Sequence, residues 1–367
     1  MIFSFFLYNS IVFLATFFAW LSERYKSKIF YIISFLIVFI PSAIRENIGG
    51  DYNGYVNYFN NIYSINYLEP VFTLLIKFIR LFSVNSQWLF AIVAFITYYL
   101  IWFLAAKFRK KYIIILSYLL ILYLSSYSGI KLGLALTLCL LGLYYLCINC
   151  KIKYIIFMLL AVGTHYSTFV IFIISFFYKI RLTYVKLIFI FIGLIVIAFL
   201  PMADIILNSP LLKLTQYSNY INSRFNSSVT ISLLGYMSLL LIPFIILVNY
   251  FLEKYFLIQK QAQDFNFTNL SIILLIGFVF SVILSGEMYI FTRFRDLFSI
   301  YLIFCIMYIT NFNLIKIKLN MFTVNVSYII CALQLLVFER SIYFATYYIT
   351  TGLRINPYQT FLTHYFN

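Results

Sequence analysis

Apolar runs close to the length of a bilayer crossing recur from one end of the chain to the other, with short polar clusters between them. Residues 2–21, 29–44, 88–106, 112–128 and 130–149 form such runs in the first half, and 187–204, 229–251, 269–285, 297–311 and 321–338 in the second. Each is long enough, or nearly so, for a helix across about 30 Å of hydrocarbon, and no stretch shows the alternation of barrel strands. The pattern predicts an all-α polytopic membrane helix bundle of about ten spans. Two apolar stretches do not fit as simple spans. Residues 70–83 are short and carry Lys77 and Arg80, so they are predicted as an outer interfacial amphipathic helix that begins at Pro70. Residues 154–178 are followed by Lys179, Arg181 and Lys186. Two half-length helices meeting at Gly163-Thr164-His165-Tyr166-Ser167 would keep both flanks on the basic side. This predicts a re-entrant hairpin whose broken backbone, with His165, lines a protein-buried or watery cavity.

Composition narrows the class. The 367 residues are 64% hydrophobic and 10% charged, with a mean hydropathy of +1.00, which points to one integral membrane domain over residues 1–367. The net charge of +16 is spread over short clusters between apolar runs and not gathered on one basic face, so no nucleic-acid partner is expected. The clusters instead orient the chain. Arg24 to Lys28, Lys107 to Lys111, Lys151 with Lys153, and Lys316 with Lys318 mark the cytoplasmic side under the positive-inside rule. Outer loops are then expected at about 45–69, 205–228, 286–296 and 339–367. No basic region precedes the first run, so it reads as a retained helix and not a cleaved signal. Cys147 and Cys150 have neither a second pair nor a nearby His, so no metal site and no cofactor is expected.

The outer loops carry the candidate chemistry. The passage Arg45-Glu46-Asn47-Ile48-Gly49-Gly50-Asp51-Tyr52, continuing through Tyr55 to Glu69-Pro70, is the longest polar stretch of the first half. Lys77, Arg80, Lys131, Arg224, Arg293, Arg295, Arg340 and Arg354 outnumber the outer carboxylates Glu46, Asp51, Glu69, Glu287, Asp296 and Glu339. Cations that break the positive-inside rule point to an anion held at the outer face, and the arginine fork suits phosphate. Pairing with those carboxylates is the plainer alternative for any one of them. His165 and Asp51 are the candidate general bases, with the imidazole better matched to proton transfer near neutrality. Gly129 and Gly133 form a GxxxG, which reads as close helix packing.

Several of these features resemble one family. Arg45 with Gly49-Gly50-Asp51-Tyr52 and Tyr55, then Glu69-Pro70, Ala161 to His165 with Ser167, Arg293 before an aromatic span, and Pro357-Tyr358 near the end look like the EpsG-like branch of Wzy-type O-antigen and exopolysaccharide polymerases. The chain departs from that pattern at Lys131-Leu132, where the family has Arg-Gln, and at Gly50, where it has Thr. The resemblance implies a metal-independent glycosyltransferase of the bacterial inner membrane. Its substrates would be undecaprenyl-pyrophosphate-linked oligosaccharide repeat units, joined at the periplasmic face into O-antigen, capsule or exopolysaccharide. Flippase and chain-length regulator proteins are the partners it implies, besides the lipid bilayer. The residues carried over are His165 and Asp51 for catalysis, and Arg45, Lys131, Arg293, Arg224, Glu69, Tyr52 and Tyr358 for the substrate and its pyrophosphate. A lipid-linked oligosaccharide flippase and an O-antigen ligase are the alternatives. A flippase would need its cations in a central cavity and often shows internal repeats, and a ligase shares the chemistry but differs in acceptor.

Overall fold

The computed structural model describes residues 2–63, 69–180, 184–197, 262–287, 292–311, 317–344 and 353–361, with Leu200 and Ile205. The expected loop at 205–228, with Arg224, and the expected span at 229–251 lie almost wholly outside the described residues. Among the described residues every regular element is helical, and the only β-type pairing is an isolated antiparallel bridge between Arg45 and Thr360.

The helices are α1 (Ile2–Arg24), α2 (Lys28–Ile44), α3 (Tyr52–Asn60), α4 (Pro70–Arg80), α5 (Gln87–Ala105), α6 (Lys111–Tyr118), α7 (Leu124–Ser128), α8 (Ile130–Cys147) and α9 (Lys151–Thr164). They continue with α10 (Phe169–Ser175), α11 (Tyr184–Ile197), α12 (Ala262–Glu287), α13 (Thr292–Phe298), α14 (Ile300–Asn311) and α15 (Ile317–Phe344). A π-helical turn, Leu119–Tyr123, joins α6 to α7 into one continuous segment. Among the described residues four segments are long and apolar enough to cross a membrane: Ile2–Arg24, Gln87–Ala105, Lys111–Ser128 and Ile130–Cys147. Lys28–Ile44, Tyr166–Lys179 and Asn269–Ser285 are apolar but shorter. The last helix runs past the expected end at residue 338 to Phe344.

The chain divides into two compact units, one of residues 1–169 with 302–367 and the other of 170–301. In the first, the core is aromatic. Tyr8, Phe72, Phe90, Tyr118, Tyr123 and Tyr127 are fully buried, and Tyr123 and Tyr127 meet edge to face at 5.1 Å. Their hydroxyls bond to each other at 2.8 Å, and Ser42 Oγ lies at hydrogen-bond distance, 3.1 Å, from the hydroxyls of both Tyr127 and Tyr98. A phenol is accepted in such a core because its one polar atom is satisfied. The outer faces are apolar as well, with Phe3, Phe6 and Phe13 of α1 and Ile152 and Leu159 of α9 exposed, as lipid contact requires. At one end Lys110 pairs with Glu23 at 3.0 Å and Lys111 donates to Ser22 at 2.9 Å, so two of the basic clusters share that end.

In the second unit Asn269 of α12 donates to the carbonyls of Tyr178 and Ile180, both at 2.9 Å. A Cβ at Gly277 would lie 2.4 Å from the Phe298 ring, so glycine is what lets α12 meet the end of α13.

Candidate active site

The apolar stretch after the polar loop is helical, as its pattern predicts. Pro70 opens α4 at its first turn, where its missing N–H costs nothing, and Glu69 precedes it in extended conformation. Phe72, Ile76 and Ile79 turn inward, while Leu74, Lys77 and Phe78 face out. The inward face meets α9 very closely. A Cβ at Gly163 would lie 2.4 Å from Val71 Cγ2, so the approach depends on glycine there.

Two residues further along, α9 ends. His165 leaves helical geometry with φ −153° and ψ 111°, and a 3-10 turn, Tyr166–Thr168, follows before α10. The freed carbonyl of His165 accepts from the amide of Thr168 at 3.0 Å and from its hydroxyl at 2.8 Å, which closes the break. The break falls where the sequence places it, and it turns the imidazole toward the start of α4.

There the groups converge on one carboxylate. His165 Nδ1 lies 3.0 Å from Glu69 Oε1, and Lys131 Nζ lies 2.9 Å from Oε2 and 3.2 Å from Oε1. The Glu69 side chain is 7% exposed, against 16% for Lys131 and 19% for His165. Burial pushes the Glu69 carboxyl up, but the hydrogen bond from His165 and the charge and hydrogen bond of Lys131 outweigh it, and the group is held at about 2. An ionised carboxylate only accepts, so Nδ1 of His165 is the donor, and in the neutral form of the ring Nε2 is then the acceptor nitrogen.

Beside this triad the C-terminal segment lies along the polar loop as a strap. Glu46 N donates to Gln359 O at 3.0 Å, Gly49 N to Arg354 O at 3.0 Å and Gly50 N to Leu353 O at 3.1 Å. Tyr358 fastens the strap by donating its hydroxyl to Pro41 O at 2.7 Å and its amide to Ser4 Oγ at 2.8 Å. Gly49 has φ +105°, and a Cβ there would sit 2.0 Å from the carbonyl oxygen of Tyr127. Only glycine allows that loop to press on the turn that precedes Lys131.

Comparison with known protein families matches residues 28–360 to the EpsG family. The chain belongs to the EpsG family. EpsG proteins are Wzy-like polymerases of exopolysaccharide, of the glycosyltransferase type, and the apolar helices make this member a membrane protein. Searches of curated proteins and of solved structures each found no match.

The EpsG fold thus joins His165, Glu69 and Lys131, which stand 62 and 96 positions apart for the two pairs with Glu69. It holds the other expected residues differently. Arg45 is 3% exposed, with its guanidinium over the rings of Tyr127 at 4.4 Å and Phe90 at 5.4 Å. Tyr52 stacks on the other contact of that cation, Phe90, at 4.5 Å and 8°. Asp51 is half-buried at the start of α3, where its carbonyl accepts from Tyr55 N at 3.1 Å. Arg293 belongs to α13, but its side chain lies outside what is described, as does all of Arg224. The sequence offers His165 and Asp51 as the candidate bases, and the carboxylate bonded to His165 is Glu69. The signal available for Glu69 was Pro70, which fixes the carboxylate just ahead of a helix start.

Proposed function

We propose that this EpsG-family protein joins undecaprenyl-pyrophosphate-linked oligosaccharide repeat units at the periplasmic face of the bacterial inner membrane, with His165 as the general base. The pairing of His165 Nδ1 with a buried, ionised Glu69 is the observation that carries this reading. The carboxylate fixes the ring tautomer and orientation and stabilises the imidazolium that forms, leaving Nε2 to take a proton. The acceptor sugar's hydroxyl oxygen bonds to the anomeric carbon of the donor sugar, and the bond from that carbon to the pyrophosphate breaks. The proton goes to Nε2, and the electron pair leaves with the pyrophosphate.

Lys131 holds the far side of the same carboxylate and is the more exposed of the pair, so it serves both to orient Glu69 and to offer a cation to the leaving group. Tyr52 and Tyr358 contribute by shaping the loop and strap around the site.

The test is reconstitution. Purified protein in vesicles, given a lipid-pyrophosphate oligosaccharide, should convert it to lipid-linked products of two or more repeat units. Transbilayer movement of the intact donor with no lengthened product would favour a flippase and contradict the proposal.

A further inference from the structure

Arg45 invites an obvious reading as an anion grip, and its surroundings speak against it. Two of its nitrogens, Nε and Nη1, are buried without a hydrogen-bond partner. The side chain lines a cavity with Ser42, Thr97, Tyr98 and Ser126 as the other polar groups and Phe90 among the apolar ones. The space has room for about one water molecule, too little for a phosphate.

The polarity of the walls decides what fits. Ser42 Oγ donates to Val38 O at 2.9 Å, Thr97 Oγ1 to Val93 O at 2.7 Å and Ser126 Oγ to Tyr123 O at 2.6 Å. With those hydrogens turned to backbone carbonyls, Thr97 and Ser126 present lone pairs and no donor to the cavity, while Ser42 Oγ is already engaged with the hydroxyls of Tyr98 and Tyr127 at 3.1 Å. An anion would meet that electron density, while its only strong donors would be the two guanidinium N–H groups. A water molecule accepts from Arg45 and donates to a hydroxyl oxygen, matching both sides.

We propose that the cavity under Arg45 is a site for a single internal water, and that Arg45 is an internal fastening of the strap and not a ligand of the substrate's phosphate. The backbone of Arg45 is bridged to Thr360, and its carbonyl accepts from Gln87 Nε2 at 3.1 Å. Its side chain points the opposite way, into the aromatic core. One residue thereby ties the C-terminal strap to the interior, and the water completes the tie by satisfying donors that would otherwise be costly to bury.

A high-resolution experimental structure of the full chain, determined with and without bromide, tests this directly. The same small peak within hydrogen-bond distance of Nε or Nη1 and of a wall hydroxyl, with no bromine anomalous signal, is the expected result. A bromine peak there overturns the proposal in favour of an anion site, and so does a structure with nothing bridging those nitrogens. In solution, Gly50→Cys with Leu353→Cys reports strap docking by disulfide formation, independently of any polymerase activity. Adding Thr97→Val, which removes an acceptor and keeps the shape, should lower the cross-linked fraction about five-fold. Unchanged cross-linking with Thr97→Val contradicts the water bridge, because an anion would be unaffected or better held once that lone pair is gone.

Discussion

Glu69 and Arg45 are both almost inaccessible to solvent, at 6% and 3% exposure, yet the protein treats the two charges in opposite ways. Glu69 gathers three hydrogen bonds from two cationic or titratable side chains, and its partners are themselves part-exposed. Arg45 is stabilised by ring faces and keeps two nitrogens without a protein acceptor. A charge with part-exposed partners can exchange them for substrate. A charge boxed in by aromatic rings cannot do so without unpacking the core. On the proposed reading the contrast is between a site of chemistry and a fastening, although both residues lie in the same polar loop.

The largest expected effect comes from removing the shared carboxylate. Glu69→Ala leaves the Lys131 charge without its partner and the His165 ring without its anchor. Thermal unfolding should show a loss of about 3–5 kcal/mol, the usual result of breaking a buried pair from one side. Polymer yield should vanish with it. If Glu69→Ala folds and elongates like the parent, the triad has no role.

Acid gives the next effect, and its sign follows from the depressed Glu69 pKa of about 2. A carboxyl that is more acidic folded than unfolded contributes stability above its unfolded value, near 4.5, and loses it as pH falls toward 2. The contribution is about 3 kcal/mol. Glu69 should therefore add nothing to the pH dependence of unfolding between pH 8 and 5 and should steepen it below about 4.5. Glu69→Gln should flatten that acid limb, and an unchanged limb would contradict the assignment.

Smaller still is the effect of crowding the contact between α4 and α9. Gly163→Ala places a methyl against Val71 and should cost about 1–3 kcal/mol with reduced turnover, as overpacking does. Val71→Ala on the same chain should recover most of both. A Gly163→Ala protein with full activity would show that the close approach is not what sets the pair of Glu69 and His165.

The subtlest prediction contrasts the two cations under inorganic pyrophosphate as a competitor. Lys131→Gln should weaken its inhibition about ten-fold, roughly 1.4 kcal/mol. Arg45→Gln should leave the inhibition constant unchanged, whatever it does to yield. The reverse ranking would return Arg45 to the substrate side.

Much of this organisation is visible in the sequence because it rests on local rules. The helix start at Pro70 and the break at His165 each follow from what a backbone can do with those residues. The association of Glu69 with Lys131 and His165 was not visible in the same way. It joins three segments far apart in the chain, and no periodicity encodes which carboxylate returns to which imidazole. Asp51 lies in the more distinctive motif and so drew the assignment, while α3 carries the chain onward and Glu69 is the residue delivered to His165. The surroundings of the arginine at position 45 are illegible for a related reason. Charge type is legible in a sequence, but whether a guanidinium faces solvent or the rings of Phe90 and Tyr127 depends on the packing of α2, α5 and α7.

The central claim is that His165, held by Glu69, removes the acceptor proton. The direct measurement is the rate of repeat-unit transfer by purified, reconstituted protein at equal amounts of wild type, His165→Ala and His165→Gln. General-base catalysis is worth about 10²–10⁴-fold, so both variants should fall by that factor while still binding donor lipid. Gln keeps a hydrogen-bonding group but cannot accept and return the proton, and it should therefore rescue nothing. Transfer by His165→Ala at the wild-type rate would contradict the account.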